Sequence, residues 1–396
     1  MRRLRRCGRI AVAIAAALGA GATAPAPDRA GLCENRLAVL DAGFEGARLS
    51  ACEARRKKFL ALIEPENSPI NPSPWYAFRL TPKRAGEAEI VLRYAEAAHR
   101  YRPWIGDGAG WRPLPAAAVR ESRRGRKATL RIKIADAPVI VAAQPLFLNE
   151  DYAAWIDALA GERDDAAAIR IGDSAQGRAL VALLDGPPEK TGPAPCALFV
   201  GRQHPPEVTG AFAMLAFLET VFGDSPLAAA FRARYDVIAV PNLNPDGVAL
   251  GNWRHNAGGV DLNRDWGLFT QPETAAVKAL LDQRCAEEKG GLALMLDFHS
   301  TRRNLFYTQT ADELTDPPRF AERWLAGARA RLDGYEFEHA ERAYSGRPTL
   351  KNYIFARFGA PAITYEVGDE TPRAEAEAAA RALAEEMMRT MLAPSR

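Results

Sequence analysis

The chain has 396 residues, 48% of them apolar and 26% charged, with a formal net charge of +3. This is ordinary globular composition with room for two domains rather than one. A charge this small gives no case for a nucleic-acid partner.

Arg2, Arg3, Arg5 and Arg6 precede an apolar run over 10–18 that is too short to span a bilayer, and small residues follow through Ala24. This is the pattern of a bacterial-type secretory signal. Residues 1–29 are assigned to it, with cleavage expected between about residues 20 and 30 and no stable membrane insertion afterwards. An uncleaved anchor is the runner-up. The mature protein is then expected in the periplasm or outside the cell. Four cysteines remain, Cys33, Cys52, Cys196 and Cys285, and an even count in an exported chain permits disulfides in three connectivities. Cys33 with Cys52 would close a short loop, whereas Cys196 and Cys285 read equally well as buried free thiols.

Residues 30–150 form the next expected domain. Short alternating segments at 75–80, 88–94 and 129–134 are broken by Pro, Gly and Asp clusters, the signature of an antiparallel β-sandwich. Over 79–133 there are fourteen Lys and Arg against five Asp and Glu. The plain reading is solvated outer faces of hairpins, and the sharper one is a basic face for an anionic envelope polymer.

The pattern changes class over 151–396. Apolar strands expected at 197–200, 237–240, 292–298 and 362–367 alternate with helices expected at 152–159, 208–222, 272–283, 318–332 and 373–392. That alternation predicts a mostly buried sheet covered by helices on both faces.

There are five histidines. His204 and Glu207 lie three apart in a bend between a strand and a helix, and His299 follows an apolar strand. Ligands gather at the carboxyl ends of strands in such sheets, so His204, Glu207 and His299 can converge there. Two imidazoles, a carboxylate and one open position make a catalytic zinc set. Glu366, at the end of another strand, would reach the same rim as a base. The loop 252–266 carries Arg254, Asn256, Asn263 and Arg264, and arginine forks match carboxylates.

The order His204-x-x-Glu207, Asn244-Pro245-Asp246-Gly247, Gly251-Asn252-Trp253-Arg254, Gly259-Val260-Asp261-Leu262-Asn263-Arg264, Asp297-Phe298-His299 and Tyr365-Glu366 resembles the zinc metallocarboxypeptidase family. It is closest to the branch of the cytosolic carboxypeptidases, over about residues 44–367. The resemblance implies an α/β fold: an N-terminal antiparallel β-sandwich, then an α/β/α catalytic domain with a mixed, mostly parallel sheet. It implies one zinc ion on His204, Glu207 and His299, with Asp261 orienting His204. Arg254 would hold the oxyanion, Asn263 and Arg264 the terminal carboxylate, and Glu366 would be the general base. Tyr344 falls near a mobile tyrosine that closes over substrate. Allowing a one-residue gap near Pro361, Lys351 falls where the acid-specific branch has an arginine, which would favour an acidic terminal side chain. An ordinary surface lysine is the bland alternative.

Two positions depart from the pattern. Pro206 stands where digestive members have an arginine that contacts substrate further upstream, and Asp265 where they have a second asparagine. The expected substrate is a peptide or protein C-terminus. The alternatives are an amide of a cell-wall peptide, or a non-catalytic protein that binds anionic envelope polymer through the basic β-domain.

Overall fold

The structure is a computed structural model that describes residues 31–68, 72–161, 163, 165–186 and 194–394. The expected signal segment lies outside the described residues.

Residues 31–148 build two facing sheets. Six strands run in the order Cys33–Glu34, Ala38–Asp41, Ala77–Pro82, Val139–Ala142, Trp104–Asp107, Gly110–Pro113. Five more run Ala51–Arg55, Lys58–Ile63, Gly86–Tyr94, Lys127–Ile134, Val119–Glu121. Period-2 alternation drives the packing: Leu130, Ile132 and Ile134 enter the core while Arg131 and Lys133 face out. One pairing departs from the antiparallel expectation, since Lys58–Ile63 runs parallel to Gly86–Tyr94. A hairpin turn joins Lys58–Ile63 to Ala51–Arg55 instead, and the chain crosses over before it returns.

The larger domain has one eight-stranded sheet. Its order is Ala166–Asp173, Ala179–Asp185, Asp236–Val240, Cys196–Gly201, Leu292–Thr301, Ala362–Gly368, Leu305–Thr308, Glu338–Glu341. The four central strands are mutually parallel, and antiparallel pairings join the flanking strands to them. Each central strand buries both faces. Ala197 and Phe199 pack with helices Val208–Val221, Phe320–Arg329 and Arg373–Leu392, while Leu198 and Val200 pack under Pro272–Arg284 and Leu350–Phe358. Helix Val208–Val221 is buried almost all round, as its apolar composition demands. No single helix among the described residues is long and apolar enough to cross a membrane.

The apolar runs understated two strands. Leu292–Thr301 continues past the expected end at Phe298 and Ala362–Gly368 by one residue past Val367, so His299 lies inside a strand, as Glu366 was expected to, and the two are directly paired in register. The expected helix at 318–332 shortens to Phe320–Arg329, because Arg319 before it takes the left-handed conformation (φ 50°). Both cysteine pairs are bonded, Cys33 to Cys52 and Cys196 to Cys285, each with a Cα–Cα distance of 5.7 Å.

One close approach sets the site's geometry. Gly210, in the first turn of Val208–Val221, donates its N–H to Ser300 Oγ at 2.8 Å, and a Cβ there would stand 2.3 Å from the carbonyl oxygen of His299. Only glycine lets the helix sit this close to the strand. Gly210→Ala should therefore push His299 away from Glu207 and weaken zinc binding by about tenfold, since overpacking costs ~1–3 kcal/mol. Chelator competition would measure it.

Candidate active site

The bend between Cys196–Gly201 and Val208–Val221 is braced from within. Arg202 is buried at φ 54°, and its guanidinium donates to Pro205 O (2.6 Å), Tyr152 Oη (3.1 Å) and Phe147 O (3.2 Å). Gln203 donates to Asp297 Oδ2 (2.7 Å) and accepts from Trp266 Nε1 (2.9 Å). The bend is thereby held against a neighbouring strand and a loop, and His204 and Glu207 point the same way.

His204, Glu207 and His299 come together, with one donor atom from each lying within 4.8 Å of the others. His204 Nδ1 is 2.8 Å from Glu207 Oε1, and His299 Nδ1 is 2.7 Å from Glu207 Oε2. The opposite ring nitrogens face carboxylates: His204 Nε2 lies 3.0 Å from Asp261 Oδ1, and His299 Nε2 lies 2.8 Å from Asp297 Oδ2. A carboxylate beyond each ring keeps the proton on Nε2 and presents the Nδ1 lone pair to the centre, the arrangement that raises ligand basicity.

Burial and charge oppose one another at each member of the cluster. Burial alone would raise the Glu207 carboxyl, but the two imidazoles hold it well below the ordinary carboxylate range. Asp261, also buried, is held far down by His204 and Arg254. Burial would lower both imidazoles, yet Glu207 and Asp261 raise His204, and Asp297 and Glu207 raise His299 well above its ordinary value. Three carboxylates converging on two buried rings suit a divalent ion, and the His-Glu-His donors match zinc with one open position. Asp297 Oδ1 is buried without a hydrogen-bond partner, while its Oδ2 meets both Gln203 and His299.

A cavity of about 600 Å³ opens over the cluster and is also lined by Arg254, Asn263, Arg264, Lys351 and Glu366. Arg254 Nε donates to Asp261 Oδ2 at 2.6 Å, so one carboxylate positions both a histidine and this arginine. Glu366 is pushed up to about 7, by burial first, with the Glu207 charge adding and His299 opposing. Asn263 Oδ1 accepts from Leu350 N at 3.0 Å, which ties the Asn263–Arg264 pair to the helix that carries Lys351. Arg264 Nη1 donates to Asn263 O at 2.7 Å.

Lys351 is no surface lysine. It is 8% exposed in the first turn of Leu350–Phe358, and its Nζ donates to Arg342 O at 2.7 Å. Burial lowers its ammonium to about 8, with Glu313 opposing. Tyr344 stands apart from the rest. It is 49% exposed, its N–H is tied to Glu313 Oε1 at 2.6 Å and its ring packs 6.4 Å from Phe355, so it does not line the cavity although Ala343 and Ser345 do. Asn256 is spent on loop structure, donating to Gln271 Oε1 and Glu273 Oε2. Asp265 likewise accepts from Thr270 N and Gln271 N.

Four residues of the site went unassigned in the sequence. Asp297 was visible only as the first residue of Asp297-Phe298-His299, and alternation puts residues i and i+2 on one face of a strand, which is the signal that connects it to His299. Gln203 gave no signal beyond adjacency to His204. Arg100 and Tyr101, from the β-sandwich, also line the cavity.

Replacing Asp297 by Asn should leave the fold intact and lower zinc affinity about 10–100-fold, the usual cost of losing an outer hydrogen-bond partner of a ligand. Metal-release kinetics of the purified variant would check it.

The comparisons with known proteins agree with this geometry. The family model described as "Zinc carboxypeptidase" matches residues 152–374. Cytosolic carboxypeptidase 6 of Mus musculus is 33% identical over 145 residues, which is 35% of this chain and 27% of that protein. The chain thus spans about a quarter of the length of that relative. A metallo-carboxypeptidase from Burkholderia cenocepacia superposes with a TM-score of 0.75 at 19% identity, covering 89% of this chain and 98% of that one. A metallo-carboxypeptidase from Pseudomonas aeruginosa, solved in complex with (2-guanidinoethylmercapto)succinic acid, gives 0.72 at 19% identity over the same shares. At such identity these two establish the fold, across the β-sandwich as well as the larger domain. With more than half of its length matched by the family model, this chain belongs to the zinc carboxypeptidase family.

Proposed function

We propose that the protein is an exported zinc-dependent carboxypeptidase that hydrolyses the C-terminal peptide bond and prefers an acidic terminal residue. The observation that carries this reading is a single cavity that gathers the His-Glu-His cluster, Glu366, Arg254, the Asn263–Arg264 pair and a buried lysine. A zinc ion on His204, Glu207 and His299 would supply Lewis-acid chemistry, activating water and polarising the scissile carbonyl.

The chain's own residues supply the rest. Arg264 and Asn263 hold the terminal carboxylate, which a planar guanidinium meets in bidentate fashion. Arg254, fixed through Asp261, meets the oxygen on which negative charge develops. Glu366 takes a proton from the attacking water and returns it to the leaving nitrogen, and its position near neutrality suits both transfers. Glu366→Gln should lower kcat about 10²–10⁴-fold with little change in peptide affinity. Single-turnover kinetics and inhibitor binding would separate the two, and near-normal turnover would remove Glu366 from this role.

Lys351 supports the acidic preference, because a buried ammonium at the cavity wall favours a side-chain carboxylate. Its lowered affinity for protons gives a pH signature. The cation is present below about 8 and lost above it. For a peptide ending in Glu, kcat/KM should therefore fall as pH rises through about 8, relative to an otherwise identical peptide ending in Leu. Lys351→Met should abolish that difference in profile. Release of Leu or Phe in preference to Glu at pH 7 would sink the acidic preference and leave the reaction class standing.

Arg342 and Arg347 line the same cavity. They favour one second reading, cleavage of a cell-wall peptide amide whose released residue carries an extra carboxylate. Export is supported by the positive and apolar pattern over 1–29 and by two cysteine bridges, which persist in oxidising compartments.

A further inference from the structure

The β-sandwich reaches into the cleft. Arg100 and Tyr101 lie between the strands Gly86–Tyr94 and Trp104–Asp107, yet they line the cavity over His204, Glu207 and His299. Arg100 is firmly held. Its Nε donates to Asp369 Oδ2 at 2.9 Å, its Nη2 lies 2.8 Å from the same oxygen in an ion pair, and its guanidinium sits 5.0 Å from the Tyr101 ring centroid. Asp369 is itself fixed, donating its N–H to Thr301 O at 2.6 Å and accepting from Gln144 Nε2 at 2.9 Å through its carbonyl. Tyr101 Oη accepts from Trp253 Nε1 at 3.2 Å. A guanidinium has five N–H donors, more than this contact with a single oxygen of Asp369 can engage.

Two observations give the arginine a role. Pro206 lines the same cavity from the metal-binding bend and offers neither a charge nor an N–H donor. Arg100 is near enough to Glu207 for the two charges to interact, so it places a cation on the cavity wall near the bend where Pro206 offers none. The second observation is placement. Asn263 and Lys351 rise from the sheet face where Leu262 and Leu350 pack, whereas Asp369 leads into helix Arg373–Leu392 on the opposite face. Arg100, Asn263 and Lys351 all line the cavity that holds His204, Glu207 and His299. A substrate with its terminal carboxylate on Asn263 and Arg264 must extend its preceding residues away from that face, toward Arg100.

We propose that Arg100, positioned by Asp369 and backed by Tyr101, binds backbone carbonyl oxygens upstream of the scissile bond, which makes the first domain part of substrate recognition. The proposal rests on the carboxypeptidase reading above. The test compares the zinc-loaded full chain with its Arg100→Gln and Arg100→Lys variants on two substrates that end in the same residue. One is an N-acyl amino acid whose acyl chain has no carbonyl beyond the scissile one, and the other is an acetylated tetrapeptide. In Arg100→Gln, kcat/KM on the tetrapeptide should fall about tenfold through KM, while the acyl amino acid changes by less than about twofold, and Arg100→Lys should recover part of the loss. Equal losses on both substrates, or none on either, overturn the assignment and leave the carboxypeptidase reading intact. If the unmodified chain cleaves neither substrate, both fall.

Discussion

Everything at this centre depends on two imidazoles being unable to turn. Each ring has a carboxylate behind it, Asp261 for His204 and Asp297 for His299, and Glu207 in front. In water such contacts would be worth little, but both rings are buried, and there an unpaired partner is costly. The carboxylates are in turn anchored. Gln203 holds Asp297 and is itself held by Trp266, while Arg254 shares Asp261. The position of Arg254 and the aim of His204 are therefore set by one side chain, and neither can drift without the other.

The loop that carries Arg254 and Asp261 has little regular structure of its own, and the first domain supplies what it lacks. Glu66 accepts from the backbone of Arg254 and His255 (2.7 and 3.0 Å), and Asn67 bonds the His255 ring and Gly259 O. Arg48 reaches Asn252, and Gly251, at φ 62°, takes a close approach to the carbonyls of Gly46 and Ala47 that no side chain would permit. The β-sandwich is thus a wall of the active site, not an appendage. Its excess of basic residues also divides in two. Arg79 and Lys83 pair with Asp41 and Glu34 of the same domain, whereas Arg100 crosses to Asp369.

What could be read in the sequence was what is local. The strand–bend–helix around His204, the alternation of the β-sandwich and the βα alternation beyond it all follow from side-chain period. The ordered motifs carried the metal ligands and the Arg254, Asn263 and Arg264 set to one cavity. What escaped was set by contacts between distant segments. Gln203 and Asp297 meet across 94 positions, and Arg100 and Asp369 across 269. The extension of the His299 strand past Phe298 is likewise a pairing effect, since His299, Ser300 and Thr301 pair with Glu366, Val367 and Gly368 of the neighbouring strand. Cys196 and Cys285 are 89 apart in sequence, and only the sheet brings them together. Tyr344 was placed by resemblance to a mobile loop, and here its backbone is bonded to Glu313, which turns its ring outward.

The distribution of charge through the cleft explains why these parts occur together. Carboxylates dominate its floor, where Glu207, Asp261 and Asp297 converge on the rings, and cations dominate its walls, with Arg100, Arg254, Arg264 and Lys351. A floor of that sign draws a divalent cation inward, and walls of the opposite sign draw carboxylates to the rim. Were the two populations mixed, they would neutralise one another as ion pairs. Asp261 joins them through Arg254, and that contact leaves the guanidinium fixed beside the His204–Glu207–His299 cluster. Lys351 is kept from such pairing in another way. Its Nζ is bonded to a backbone carbonyl, and the Glu313 charge only partly offsets its burial, so its charge remains available to a carboxylate that arrives with the substrate.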